Sequence, residues 1–210
     1  MLVTSSEWAA PEARLQRWQA DDAGSWKAVG AAIPVTLGSA GMGWGLGLHR
    51  KGVGPRKREG DRRSPAGVFT LGDAFGYAAT APAGVRVGYR CADCRDYFVD
   101  DVASADYNQW RRIPASSPNE PGERWGSFER MRRDDDAYEL GLVVEHNAAC
   151  VPGAGSAIFV HVWGAPRAPT LGCTAMSKGD LLTLLRWLDP AAAPVLVPAP
   201  RAALPALRLR

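Results

Sequence analysis

The chain has 210 residues, enough for one substantial hydrophobic core, with 46% hydrophobic residues, 22% charged residues and a formal net charge of +3. The basic residues are dispersed over Arg50 to Arg63, Arg111 to Arg112 and Arg130 to Arg133, so the dense basic face of a nucleic-acid groove is missing and no nucleic-acid partner is expected. No apolar run reaches the length of about eighteen residues that a spanning helix needs, so no stable membrane insertion is expected either.

The 23 glycines and 16 prolines point to many turns and suit a strand-rich fold. Residues 1–30 read as an N-terminal hairpin belonging to the main sheet: Leu15 to Trp18 alternates, Asp21-Asp-Ala-Gly24 turns, and Trp26 to Val29 resumes the alternation. Ile33 to Leu37 continues as strand. Trp44 to Leu48 is a weaker strand, because its glycines imply a bulge or a close backbone approach. Gly67-Val-Phe69 follows a Ser-Pro turn and begins the next strand. The stretch from Arg90 to Pro121 reads as surface excursions over the sheet, and residues 124–133 as a short helix. Leu140, Leu142, Val144 and His146 then fall on one face of a strand. By the same two-residue period, Phe159, His161 and Trp163 share one face of the following strand, and Ile158, Val160 and Val162 share the other. These two strands are expected to pair antiparallel. Ser177-Lys-Gly-Asp180 caps a helix over Leu181 to Leu188, which Asp189-Pro190 stops. Val195 to Val197 adds a last strand, and the Ala/Pro/Arg-rich tail at 199–210 is expected to be loose unless it packs on a neighbour.

Chemistry concentrates at Cys173 and His161. A thiol becomes a useful nucleophile when something takes its proton, and imidazole suits that task near neutral pH. The loop between the two holds Gly164, Pro166 and Pro169, which favour turning back, so the thiol can return beside the ring. Set against this, a strand histidine can be a satisfied core residue and a cysteine after glycine a small buried hydrophobe. His146, at a strand end beside Asn147, is the rival base. His49 reads as a surface residue, and Lys57, Arg58, Arg62 and Arg63 as a solvated loop. Cys91-Ala-Asp-Cys94 lacks the further ligands of a zinc site, so no metal is expected. A structural disulfide within that loop or from it to Cys150 is one reading of these cysteines, free thiols the other.

The run from Gly155-Ser-Ala-Ile-Phe159 through His161 to Pro169-Thr-Leu-Gly-Cys173 resembles the catalytic core of the YkuD-type L,D-transpeptidases. Lys57 to Phe69, with its Ser64-Pro65-Ala-Gly67-Val-Phe69 turn, resembles a second family segment. Asp106-Tyr107-Asn108 and Val144-Glu-His-Asn147 resemble the subgroup with Gly-Ser-Ala-Ile-Phe before the histidine. The likeness departs from the commoner pattern, in which His-Gly marks the base and Ser-His-Gly-Cys with a nearby Arg marks the nucleophile. Here Val162 follows the base, Thr170 and Leu171 precede Gly172, and Thr174-Ala-Met176 holds no arginine.

The resemblance implies a mainly β fold, an antiparallel sandwich or partial barrel with few short helices, as a catalytic domain over residues 31–198. It implies that Cys173 attacks a peptidoglycan stem peptide between its third residue, a diamino acid, and a terminal D-alanine, with His161 as the base and no cofactor required. Backbone amides around Gly172, Cys173 and Thr174 are candidates for holding the oxyanion, and a backbone carbonyl near Val162 for fixing the imidazole tautomer. His146, Asn147, Tyr107, Thr170 and Trp163 are candidate substrate contacts. Such a substrate lies outside the cytoplasmic membrane, which implies a periplasmic or extracytoplasmic protein, with a cytosolic one as the alternative; a monomer is expected. The first ten residues, however, lack the basic start and apolar core of a signal peptide. A peptidoglycan cysteine hydrolase and a non-catalytic wall-binding module remain the alternatives.

Overall fold

The computed structural model describes residues 1–50 and 52–207. Lys51, within the basic stretch, and residues 208–210, the end of the Ala/Pro/Arg-rich tail, lie outside the described residues. The N-terminal segment forms β1 (Leu2–Ser5), β2 (Glu12–Ala20) and β3 (Trp26–Thr36). The Asp21 carboxylate fixes the β2–β3 turn by accepting from the amides of Ala23 and Ser25. There follow β4 (Met42–Trp44), β5 (Ser64–Ala66), β6 (Phe69–Gly76), β7 (Tyr89–Cys91), β8 (Asp96–Val99) and β9 (Gln109–Arg112). A single helical turn, α1 (Pro121–Arg124), precedes β10 (Phe128–Arg130), β11 (Leu140–Val144), β12 (Phe159–Val162) and β13 (Thr174–Met176). The chain closes with α2 (Lys178–Trp187) and β14 (Val195–Pro200).

The main sheet runs in the order β11-β12-β13-β3-β2-β1-β14-β6-β7, and β6 also pairs with β11, so the ladder returns on itself as a ring. The mainly β expectation holds. The sheet is mixed, because β12–β13, β1–β14 and β6–β7 pair in parallel and the remaining neighbours antiparallel.

One of these parallel pairs sets the site. Because β12 and β13 run in the same direction, the loop between them must carry the chain back to the start of β12. Val160 then lies opposite Thr174, and His161 opposite Ala175. Cys173, one residue before β13, therefore returns to the level of Phe159.

The two faces of β12 bury different things, as its alternation predicts. Ile158, Val160 and Val162 enter the main core with Leu140, Leu142 and Val144 of β11 and Leu181, Leu184 and Leu185 of α2. Phe159 faces a second cluster that contains Phe75, Phe98, Tyr138 and Cys173. Its ring meets those of Phe75, Phe98 and Tyr138 edge-on, at centroid distances of 5.3, 5.1 and 5.6 Å. Each such buried ring contributes on the order of 2–3 kcal/mol by burial alone.

Several expectations change. Residues 124–133 are not one helix: α1 ends at Arg124, and Phe128–Arg130 pairs with β8. The Arg90 to Pro121 region is more ordered than surface excursions. Its strands β8 and β9 join β10 in a three-stranded sheet over a small core of Tyr97, Val99, Ile113 and Trp125. After β14, Arg201–Leu207 forms a 3-10 segment that buries Ala203 against the main core and packs Leu204 and Leu207 on it. All four cysteines are free, so no disulfide ties Cys91, Cys94 or Cys150. No described helix is long and apolar enough to cross a membrane.

Candidate active site

Cys173 and His161 both line one cavity of about 680 Å³. The thiol rests on the backbone ahead of β12: its Sγ accepts from the Phe159 amide at 3.3 Å and donates to the Ala157 carbonyl at 3.4 Å. Ala157 takes a left-handed backbone conformation, with φ of 52°, an uncommon state for a residue with a side chain. Two hydroxyls hold the Cys173 carbonyl, Ser64 Oγ at 2.9 Å and Thr170 Oγ1 at 2.7 Å. Ser64 belongs to the Ser-Pro segment and also accepts from the Gly38 amide, so this segment clamps the nucleophile's backbone from the opposite side.

The His161 ring is buried, and its Nδ1 lies 2.7 Å from the carbonyl of Val162. A carbonyl only accepts, so Nδ1 carries the proton and Nε2 keeps its lone pair. Tyr138 braces the ring edge-on at 5.2 Å. Burial pushes the imidazole below its ordinary value, which keeps it neutral, as a base must be. Burial also pushes the Cys173 thiol far up, and the Glu129 carboxylate adds to that rise. Cys173 therefore rests as a thiol rather than a thiolate. Among the described residues no hydrogen bond links Cys173 to His161; the thiol proton faces the Ala157 carbonyl. The arrangement can support nucleophilic attack with proton removal in the same step, since His161 and Cys173 line one cavity.

The other residues singled out from the sequence separate into wall and scaffold. Thr170 and Gly172 line the cavity. Gly172 has φ of 154°, and a Cβ there would press on the Arg63 carbonyl at 3.2 Å. Its amide is already given to Thr170 Oγ1 at 3.1 Å, which leaves it less available for an oxyanion than the sequence implied. Thr174 is buried within β13, and among the described residues it is not part of the cavity wall.

His146, Asn147, Tyr107 and Trp163 are not part of that wall either. Both His146 nitrogens are engaged, Nδ1 accepting from the Leu46 amide at 3.2 Å and Nε2 donating to the Ala154 carbonyl at 3.0 Å. Burial, the main cause, lowers its pKa to about 4, so it is a neutral pin in the interior and no longer a rival base. Asn147 ties its own loop by donating to the carbonyls of Val151 and Gly155. The Tyr107 hydroxyl donates to Glu59 at 2.5 Å and accepts from the Gly155 amide. Asn108 donates to the carbonyls of His146 and Asn147 and accepts from the Ala157 amide. The motif residues thus hold the loop that presents Ala157 and Phe159 to the thiol. Trp163 lines a different cavity and donates to Thr36 Oγ1 at 2.9 Å.

The solvated-loop expectation fails at Lys57, whose buried ammonium donates to Asp61 at 2.6 Å. His49 is not a free surface residue: its Nδ1 accepts from the Val68 amide at 3.0 Å and its ring packs against Trp44 and Phe69. Sequence reasoning missed Glu129, Tyr138, Asp100 and Glu59, all of which line the cavity. Glu129 sits on β10, inside the segment read as helix, so no pattern pointed to it. Among the described residues no group of three or more His, Cys, Asp or Glu side chains is disposed to hold a metal ion.

The YkuD family model, the L,D-transpeptidase catalytic domain, matches residues 10–197. The chain belongs to this family. No curated protein and no solved structure matched it. Membership carries L,D-transpeptidase-type catalysis on peptidoglycan as the family's activity, and the YkuD match spans every strand from β3 to β13 together with both residues at the centre of the cavity.

Proposed function

We propose that this YkuD domain is an L,D-transpeptidase that works through a Cys173 thioester on peptidoglycan stem peptides, with His161 as the general base. The observation that carries the reading is the cavity in which a buried thiol and a neutral imidazole of fixed tautomer stand together. Because burial holds Cys173 protonated, attack requires a base, and His161 Nε2 is the lone pair left for it.

In the first step the sulfur adds to the carbonyl between the third and fourth stem residues while Nε2 takes the thiol proton. The C–N bond then breaks, and the imidazolium returns the proton to the departing D-alanine amine. In the second step an amine of another stem attacks the thioester, the C–S bond breaks, and the thiol is restored. The Cys173 amide, which makes no hydrogen bond among the described residues, is the remaining donor suited to the tetrahedral oxyanion. This chemistry calls for no metal or organic cofactor, and it puts the protein's work outside the cytoplasmic membrane, where stem peptides lie.

Incubation with a defined tetrapeptide stem and an amine acceptor tests the reading. Release of D-alanine together with a cross-linked product is the expected result. D-alanine release without transfer at any acceptor concentration would make the protein an L,D-carboxypeptidase, and no reaction by a folded protein would leave a wall-binding module.

A further inference from the structure

Four carboxylates line the cavity that holds Cys173; Asp135 is paired with Arg133, and Glu59, Asp100 and Glu129 are the other three. Hydroxyls meet two of these three, Glu59 by Tyr107 and Ser156 and Glu129 by Tyr138. Among the described residues none of the three forms an ion pair. The nearby cations are committed elsewhere or exposed. Lys57 pairs with Asp61, Arg133 holds both oxygens of Asp135 at 2.8 Å, and Arg62 is exposed.

This arrangement is costly in two ways. Asp100 Oδ1 is buried with no hydrogen-bond partner, and such a group ordinarily costs its full desolvation. The three charges also feel one another, and burial with this repulsion pushes Glu129 up to about 7 and Asp100 upward. Glu129 further opposes ionisation of Cys173, the event on which the chemistry depends. A site of this kind works against its own nucleophile until a cation arrives. An ammonium fits the deficit, since it brings three donors and a positive charge to carboxylates that have no cation of their own. A neutral amide brings fewer donors and no charge, and an anion brings neither.

Resting on the transpeptidase reading above, we propose that Glu129, Asp100 and Glu59 form the recognition wall for an ammonium of the stem peptide, and that its arrival readies Cys173 for attack. The cation cancels the local negative charge, so the sulfur can develop charge at the moment His161 takes its proton. Substrate selection and nucleophile activation are thereby one event.

The experiment follows the two half-reactions separately by intact-protein mass. Donor tetrapeptides carry either a free ammonium or an N-acetylated amine on the third residue. They are offered to the parent protein, to Glu129→Gln, which keeps an acceptor for Tyr138, and to Asp100→Asn, with folding checked by circular dichroism. The parent should acylate about tenfold to a hundredfold faster with the free ammonium, the range of one or two charge-assisted hydrogen bonds. Both variants should lose that preference, and on the capped donor Glu129→Gln should be no slower than the parent, because the charge that opposes Cys173 ionisation is gone. Acylation without preference would overturn the proposal even if the variants slowed aminolysis of the thioester, because the cation would then reach the wall only after Cys173 had reacted.

Equal acylation of both donors by the parent would overturn the proposal and leave the transpeptidase reading standing. Failure of the parent to form any thioester would overturn both. The comparison of donors on the parent needs no substitution, so it decides even if one variant fails to fold.

Discussion

His146 should make the protein lose stability in mild acid, by an amount that its surroundings fix. Its ring is 2% exposed, both nitrogens are hydrogen-bonded to backbone, and its pKa falls from 6.5 to about 4. Lys57 adds to the lowering, and Asp61 opposes it weakly. Above pH 6.5 the residue is neutral in both folded and unfolded chains and contributes no pH dependence. As pH falls through 6.5 the unfolded chain takes up a proton that the folded protein refuses, so stability declines. Below about pH 4 the folded protein is protonated too and the loss levels off. At about 1.4 kcal/mol for each tenfold difference in proton affinity, the interval amounts to about 3 kcal/mol. Urea unfolding at a series of pH values, for the parent and for His146→Gln, isolates this contribution, because every other titration is common to both. The variant should be less stable at pH 7, by about 1–3 kcal/mol for the disturbed hydrogen bonds, and its curve should be the flatter of the two between pH 6.5 and 4. Parallel curves over that interval would refute the reasoning, because they would mean that His146 is protonated alike in the folded and unfolded chains.

Cys173→Ala should abolish acylation while the circular dichroism stays that of the parent, with a loss in urea unfolding of about 1–3 kcal/mol at most, because the buried Phe159 amide loses its sulfur acceptor. The acylation rate of the parent should fall in acid with a midpoint below 6.5, because burial lowers the His161 pKa and the base is lost only once it protonates; a midpoint at or above 6.5 would contradict that burial effect. Thr170→Val and Ser64→Ala each remove one of the two hydroxyls on the Cys173 carbonyl. Each should slow single-turnover acylation, with Ser64→Ala also costing about 1–3 kcal/mol in urea unfolding, because the Gly38 amide loses its buried partner.

Much of the fold is legible in the chain because alternation is local. The opposite faces of β12, the strand pattern of β11 and the Ser177 cap all follow from residues within one element, and the structure has each of them. The return of Cys173 to the cavity that His161 also lines is legible only in part. Gly164, Pro166 and Pro169 signal that the chain turns, but the parallel pairing that brings Cys173 level with Phe159 depends on which strand edge is free, and no local pattern encodes that. The roles of His146, Asn147 and Tyr107 cannot be separated in sequence for a related reason. A polar residue near a site reads the same in sequence whether it faces substrate or satisfies a buried backbone, and here the backbone claims them. Glu129 was invisible because its strand pairs with β8, a partner 29 or more positions away in the chain.

Whether Cys173 forms the acyl-enzyme with His161 as its base is read directly by mass analysis of the intact protein during a single turnover with a tetrapeptide donor, followed by peptide mapping. An adduct on Cys173 that lacks D-alanine is expected. In His161→Gln the adduct should form about a hundredfold to ten-thousandfold more slowly at neutral pH and recover as pH rises, when hydroxide replaces the missing base. An adduct on Cys91, Cys94 or Cys150, or one that forms on Cys173 at the parent's rate without His161, would contradict that assignment.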